Sequence, residues 1–310
     1  MAIESRAGEL SVVIPTRDRA SLLDITIASV LRSPLIVSPE QIIVVDDDSH
    51  DGTAEMAGRH AVSYLRVANH NISRTRNAGF SLVRTPYVTF LDHDDVWLPG
   101  NMKPQLEALE RHPDAAFAYG IARCASEELE PIALTFPSPP LPSGVIPERL
   151  HLGYPNLGVV LFRREAIDSV GGFDPAIRYH QDADLLLRIS SRQKIVGVDF
   201  VGMLHRLRSP SRARADYYWA SREVLHWMPR HLGVGWIAAI RFRRKTKGLF
   251  FYRFCADASA CASLGHRRDA LRCLSRALRV SPLHALRHFP EMAAILLDIG
   301  SGSPRAHLIE

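Results

Sequence analysis

Three acidic stretches hold the side chains of this sequence best placed to do chemistry. Residues 88–100 read VTFLDHDDVWLPG: the β-formers of 87–91 stop at Asp92, His93, Asp94 and Asp95, and Trp97 and Pro99 close the turn. Residues 42–53, IIVVDDDSHDGT, repeat the arrangement, an apolar run ending in Asp46, Asp47 and Asp48. The third, His180-Gln181-Asp182-Ala183-Asp184, precedes a helical pattern. Carboxylate oxygens so closely spaced suit Mg2+ or Mn2+ shared with substrate phosphates. Taken alone, a DxDD stretch is equally a solvated acidic turn or a helix cap. The elements around it decide.

Short continuous apolar runs at 11–15 (SVVIP), 41–45 and 87–91 are the mark of strands buried on both faces, and 62–67 is a weaker run. Leu23, Ile27, Val30 and Leu31 at helical spacing predict a helix over 20–31, with others over 74–83, 102–111, 163–170 and 185–191. Ser49 or Asp51 is placed to cap the short helix after the second strand. Strand and helix in alternation imply parallel pairing through right-handed crossovers. The strands then deliver their carboxylates to one edge, the edge where open α/β sheets bind ligands. Further strands are predicted at 115–120 and 156–162, and over 194–205 as two short strands or one bent one. Residues 131–147 contain six prolines and read as an exposed loop.

The 310 residues accommodate one large domain, or a domain with an extension. A net charge of +5 is too mild to argue for nucleic acid, and none is expected as a partner. Cys124, Cys255, Cys261 and Cys273 form neither a CxxC pair nor a metal spacing, which fits a reduced, cytoplasmic setting. The first ten residues lack the apolar core of a signal peptide, and no apolar run reaches the roughly 18 residues of a spanning helix. From residue 213 the pattern turns wholly helical, so two domains are predicted, 1–212 and 213–310. Residues 236–254 mix aromatics with Arg and Lys. Such a helix either lies on the cytoplasmic face of an anionic membrane or packs normally with a solvated basic face. Residues 257–282 read as a helical hairpin with Gly265 at the turn and a stripe of Ala270, Leu274, Ala277 and Leu278, similar to one tetratricopeptide-type unit.

Four patterns stand in order: VVIPTRDR at 12–19, IIVVDDDSHDGT at 42–53, TRNAG at 75–79 with VTFLDHDDVWL at 88–98, and GGFDPAIRYHQDADLLLR at 171–188. Together they resemble glycosyltransferase family 2, the inverting nucleotide-sugar transferases of GT-A fold, over residues 10–210. The resemblance implies an α/β fold: a Rossmann-like, mostly parallel central sheet flanked by helices. The all-helical C-terminal extension lies outside it. Pro15, Thr16 and Arg19 then surround the base or ribose. Asp47, with Asp46 close by, meets a base N–H, which favours uracil. Arg76 pairs with phosphate or with neighbouring carboxylates, although a surface helix arginine is the plainer reading. Asp94 ligates Mn2+ or Mg2+. Asp92 assists through water or contacts the ribose or sugar, and Asp95 caps or orients.

The same resemblance makes Asp182 the general base, where a bare sequence reading also permits a helix cap. Family members pair that Asp with Glu; here the neighbour is Gln181, which removes one negative charge. His180 lies beside the base and, with Gln181 and Trp97, is assigned to the acceptor or to orientation. His205-Arg206-Leu207-Arg208-Ser209 falls where members carry Tyr-Arg-x-His. Either His205 replaces the aromatic residue, or the loop shifts and His205 reaches the metal. The implied reaction moves a sugar from a nucleotide diphosphate sugar, UDP-linked first, to a hydroxyl of a glycan, lipid or small-molecule acceptor. Two other functions compete. A nucleotidyltransferase would want a glycine-rich loop after the first strand, and residues 15–20 hold no glycine. A non-catalytic scaffold has only Gln181 in its favour. No GxGxxG follows any strand, which argues against a Rossmann dehydrogenase.

Overall fold

The computed structural model of the chain describes residues 6, 8–137, 143–144, 154–178, 180–207, 251, 254–255, 258, 261–262 and 267–301. It divides into two compact units, Met1–Arg123 with Thr135–Arg206, and Cys124–Leu134 with Leu207–Glu310.

In the first unit β1 (Leu10–Thr16), β2 (Ile42–Asp47) and β4 (Tyr87–Phe90) are buried along their whole length, as their unbroken apolar runs require. The helices α1 (Ala20–Leu31), α2 (Thr53–Arg59) and α3 (Ile72–Leu82) alternate with them, and β3 (Ser63–Val67) is half-buried at the sheet edge. These four strands pair in parallel, with β1 between β2 and β4. Beyond β4 the sense changes. β8 (Val160–Arg163) is antiparallel to β4, β6 (Ala115–Ala125) to β8, and β5 (Val96–Trp97) to β9 (Lys194–Arg206). The order is β3-β2-β1-β4-β8-β6-β9-β5, with β7 (Pro131–Phe136) paired to β6. Thr16 lies opposite Asp46, and Val13 opposite Phe90. Strands β1 and β2 therefore end within a residue of each other, β4 stops three residues short of β1, and Asp92 follows it up to the edge that carries Asp46 and Asp47.

Several boundaries differ from the sequence-based expectation. The first part of the proline-rich segment is the strand β7, not a loop. Ile132, Leu134 and Thr135 suffice to pair with an existing strand, and Pro131 takes the first position, where a missing N–H is tolerated. The strand β9 is continuous. After α4 (Lys103–Arg111) and α5 (Arg164–Asp168), helix α6 (Gln181–Ser190) begins four residues before the predicted start, placing Gln181 and Asp182 in its first turn. Gly52, rather than Ser49 or Asp51, is the N-cap of α2, although Asp51 Oδ1 accepts from Thr53 N at 3.1 Å.

Helix α3 sits directly on the sheet. A Cβ on Gly79 would lie 2.5 Å from Val13 Cγ1 and 2.7 Å from Val45 Cγ2. Both neighbours are buried strand residues, so the helix itself must lift. Gly79→Ala is therefore expected to lower stability by about 1–3 kcal/mol, read as a fall in the urea midpoint.

In the second unit the helices Arg267–Val280, Pro282–Arg287 and Phe289–Ser301 follow one another. Ala270, Leu274 and Ala277 are buried, but Leu278, assigned to the same stripe, is 48% exposed. Phe251 packs against His284 and His288, with centroids 5.9 and 6.0 Å apart. Most of the segment 236–254 and of the first half of the hairpin, the predicted boundary at 212 and Arg208 lie outside the described residues. Among the described residues no helix is long and apolar enough to cross a membrane.

Candidate active site

The loops after β1 and β2 are joined by three hydrogen bonds. Asp18 N donates to Ser49 Oγ (2.9 Å), His50 N to Asp18 Oδ1 (2.7 Å) and Ala20 N to Asp51 Oδ2 (3.0 Å). Asp46 is turned inward. Its Oδ1 accepts from Ser49 N at 2.8 Å and its Oδ2 from the Tyr64 hydroxyl at 2.5 Å. Burial and this carboxylate both push the Tyr64 pKa up. With both oxygens engaged and 1% exposure, Asp46 shapes the loop instead of offering itself to a nucleotide. Asp47 differs. Its Oδ1 accepts from Asn69 N (2.7 Å) and His70 N (2.9 Å), while its Oδ2 makes no hydrogen bond among the described residues. Thr16 Oγ1 is buried without a partner. The Pro15 carbonyl oxygen lies 3.1 Å from His93 Nδ1. Arg19 stands exposed at the N-cap of α1, with its Nη1 on the Asp18 carbonyl, so the structure supplies no contact that holds it over a base.

Arg76 is no surface arginine. It is 4% exposed, donates from Nη2 to Asp92 Oδ1 at 2.7 Å, and lies over the Phe173 ring, 5.4 Å from its centroid. Its Nε and Nη1 are buried with no partner. Burial opposes ionisation of Asp92, but Arg76, aided by His93 and His205, outweighs it and holds the carboxyl below its usual range.

Asp95 is the fixed point of the acidic turn. Fully buried, it accepts from Arg206 N (3.1 Å) and Asn156 Nδ2 (3.3 Å) and lies 3.0 Å from His205 Nδ1. Burial outweighs His205 and pushes Asp95 up to about 6. The Thr26 hydroxyl lies 2.9 Å from the His93 carbonyl oxygen and 2.8 Å from that of Asp95, and Arg206 Nε donates to the Asp94 carbonyl at 3.0 Å. The backbone is thus held on both sides, and the half-buried residues of the turn are Asp92, His93 and Asp94. His205 Nδ1 lies 3.0 and 3.2 Å from the two carboxylate oxygens of Asp95. Trp97 is 3% exposed and donates its indole N–H to the Gly158 carbonyl at 3.0 Å. It orients the core behind the turn and does not face an acceptor.

The segment that leads to Asp182 is attached to α3. Asn77 donates from Nδ2 to the Phe173 carbonyl (2.8 Å) and accepts from Phe173 N (2.9 Å). Gly171 and Gly172 have φ of 74° and 75°, and a Cβ on Gly172 would lie 2.7 Å from Asn77 Oδ1. Glycine serves both the conformation and the close approach. Arg188, paired with the buried Asp184, donates to the carbonyls of Val170 and Gly172, each at 2.7 Å. His180, with φ of 55°, is the N-cap of α6 and bonds to the Tyr154 hydroxyl. Gln181 Oε1 is buried without a hydrogen-bond partner, and Asp182 Oδ1 accepts from Ala183 N at 2.8 Å. The bond between Asn77 of TRNAG and the GGFD turn is not legible in the sequence. Tyr64 does not stand out there either; for Arg188, an Arg four residues after a helix-initial Asp is the available signal.

A parallel half-sheet with acids at its carboxyl edge, continued by antiparallel strands, is the arrangement of GT-A glycosyltransferases. The chain belongs to glycosyl transferase family 2, whose description it matches over residues 11–171. Among curated relatives, an uncharacterized glycosyltransferase of Haemophilus influenzae is 25% identical over 185 residues, 58% of this chain and 61% of its own length. Validoxylamine A glucosyltransferase of Streptomyces hygroscopicus is 34% identical over 90 residues, 27% of this chain and 21% of its own. Poly(ribitol-phosphate) beta-N-acetylglucosaminyltransferase TarP of Staphylococcus aureus is 31% identical over 94 residues, 28% and 29%. Each match spans less than two thirds of the relative. Among solved structures, S. aureus TarS 1-349 in complex with UDP has a TM-score of 0.57 at 14% identity, covering 97% of this chain and 94% of that one. Mannosyltransferase PcManGT from Pyrobaculum calidifontis, in complex with GDP-Man and Mn2+, has a TM-score of 0.54 at 14% identity, covering 94% and 86%. These two likenesses concern the fold.

Proposed function

We propose that the chain is a metal-dependent inverting glycosyltransferase that moves a sugar from a nucleotide diphosphate sugar, UDP-linked first, to an acceptor hydroxyl. The observation that carries this reading is a set of buried, unmet hydrogen-bonding groups at the carboxyl edge: Thr16 Oγ1, on the strand end paired with Asp46, and Arg76 Nε and Nη1 next to Asp92. Buried polar groups without partners are rare in folded proteins, and a ligand rich in oxygen supplies them. Asp47 Oδ2 accepts a base N–H, which an imide such as uracil offers. Arg76 faces the ribose or diphosphate, with Asp92 keeping its cation in place.

Among the described residues no three His, Cys, Asp or Glu side chains are grouped to hold a metal. Two carboxylates, Asp94 with Asp92 behind it, still fit Mg2+ or Mn2+, because these ions complete their shells with substrate phosphates and water. A carboxylate at Nδ1, as Asp95 is for His205, is the kind of partner that orients a ligating imidazole, so His205 remains a ligand candidate through Nε2. A bound ion neutralises charge on the departing diphosphate. Asp182 takes the proton from the acceptor hydroxyl as its oxygen attacks the anomeric carbon opposite the leaving group. Gln181 Oε1 receives a second acceptor hydroxyl. One displacement without an enzyme nucleophile turns an α-linked donor into a β-linked product.

Thermal unfolding against a panel of nucleoside diphosphates, with and without Mn2+, tests the donor half. At about a hundredfold excess over Kd, UDP with Mn2+ is expected to add about 3 kcal/mol of stability. Asp94→Ala is expected to remove most of the Mn2+-dependent part. Equal shifts with and without the ion in the unaltered protein would sink the metal role. A panel of nucleotide sugars then identifies the sugar by its slow hydrolysis.

A further inference from the structure

Ten large apolar side chains stand exposed among the described residues, and seven of them fall within residues 267–301. The helix Arg267–Val280 buries Ala270, Cys273, Leu274 and Ala277 and exposes Leu271 and Leu278, two turns apart along one side. Arg267, Arg268, Arg272 and Arg279 are exposed on the same helix. Pro282–Arg287 adds Leu283 and Leu286, the latter 77% exposed, with Arg287 beside them. Phe289–Ser301 adds Phe289, Leu296 and Leu297, the last 72% exposed. A single exposed leucine needs no explanation, but this concentration among arginines does.

We propose that residues 267–301 dock on an anionic lipid surface. The leucines and Phe289 enter the boundary between headgroups and acyl chains, and the arginines meet the lipid phosphates while their stems cover apolar surface. Charge selects this occupant over a second copy of the chain. Residues 267–301 carry six arginines against three acids, Asp269, Glu291 and Asp298, and Asp269 is already paired with Arg272 at 3.2 Å. Two such faces repel each other, whereas a negative leaflet attracts one.

The test is co-sedimentation of the full chain with phosphatidylcholine vesicles, with and without phosphatidylglycerol. Binding is expected to require phosphatidylglycerol and to weaken as salt is raised. It is expected to fall about tenfold in a Leu286→Ser, Phe289→Ser, Leu297→Ser variant and in an Arg268→Ala, Arg279→Ala variant. All these side chains are exposed, so circular dichroism and the thermal response to nucleoside diphosphate should not change. Equal binding to both vesicle types, or none at low salt, overturns the proposal, and both are read on the unaltered protein. So does sedimentation equilibrium showing a dimer that the Leu286, Phe289, Leu297 variant dissociates, because a second copy then covers the face.

Discussion

Asp182→Asn is expected to lower sugar transfer by about 10²- to 10⁴-fold while nucleoside diphosphate binding in Mn2+ stays near the unaltered level. The substitution is nearly isosteric, and the amide oxygen can still accept from Ala183 N, as Asp182 Oδ1 does at 2.8 Å. Helix α6 keeps its start, since His180 is the N-cap and the Asp184–Arg188 pair anchors the first turn. What is lost is a group able to take a proton. Transfer and nucleotide titration on the same sample separate this from a folding defect. A variant that transfers at the unaltered rate ends the assignment of the base without touching the donor edge.

Arg76→Ala is expected to cost about 2–3 kcal/mol of stability and to weaken nucleoside diphosphate binding along with it. The side chain is buried, carries the ion pair to Asp92 and lies on Phe173, so its removal strips a carboxylate of its partner and leaves a void. The cost stays below that of a fully buried pair because the Asp92 side chain is 42% exposed and water can partly replace the guanidinium. The pH dependence should change too. Asp92 is held below its usual range in the folded protein, so the pair stabilises above the ordinary carboxylate pKa, and that share is lost as pH falls through the lowered value. In Arg76→Ala this acid-side slope should shrink, measured as the urea midpoint from about pH 5 downwards through the carboxylate range. Arg76→Lys should restore part of the stability but less of the diphosphate binding, since a lysine cannot offer the planar fork.

Much of the donor edge could be read from the chain because its cause is local. A buried strand must be a run of β-formers, and the point where the run meets Asp46 or Asp92 marks where the strand leaves the core. What could not be read depends on partners far away in sequence. Asp46 and Asp47 look alike in IIVVDD; Tyr64 claims one and the backbone of Asn69 and His70 half-occupies the other. Trp97 in a turn looks available until Gly158, 61 residues on, takes its indole N–H. The prolines of 131–147 concealed β7, because a strand laid along an existing edge needs few strand formers of its own. Asp95 could be set apart from Asp92 and Asp94 by crowding alone, but its hold on β9 could not be foreseen.

The two bonds from Asn77 to Phe173 span 96 residues, and this bears on the order in which the molecule assembles. Strands β1, β2 and β3 pair over short crossovers and β4 then returns to β1, whereas the glycine turn docks on a sheet that must already be in place, where Phe173 meets Phe90, Arg76 and Asn77. The first four strands are therefore expected to exchange their amides more slowly than residues 171–190, which are expected to join last, read by native-state hydrogen exchange. An opening of that late piece leaves the acidic edge folded. On the proposed division of roles, the chain then retains its grip on the nucleotide while it is briefly unable to react.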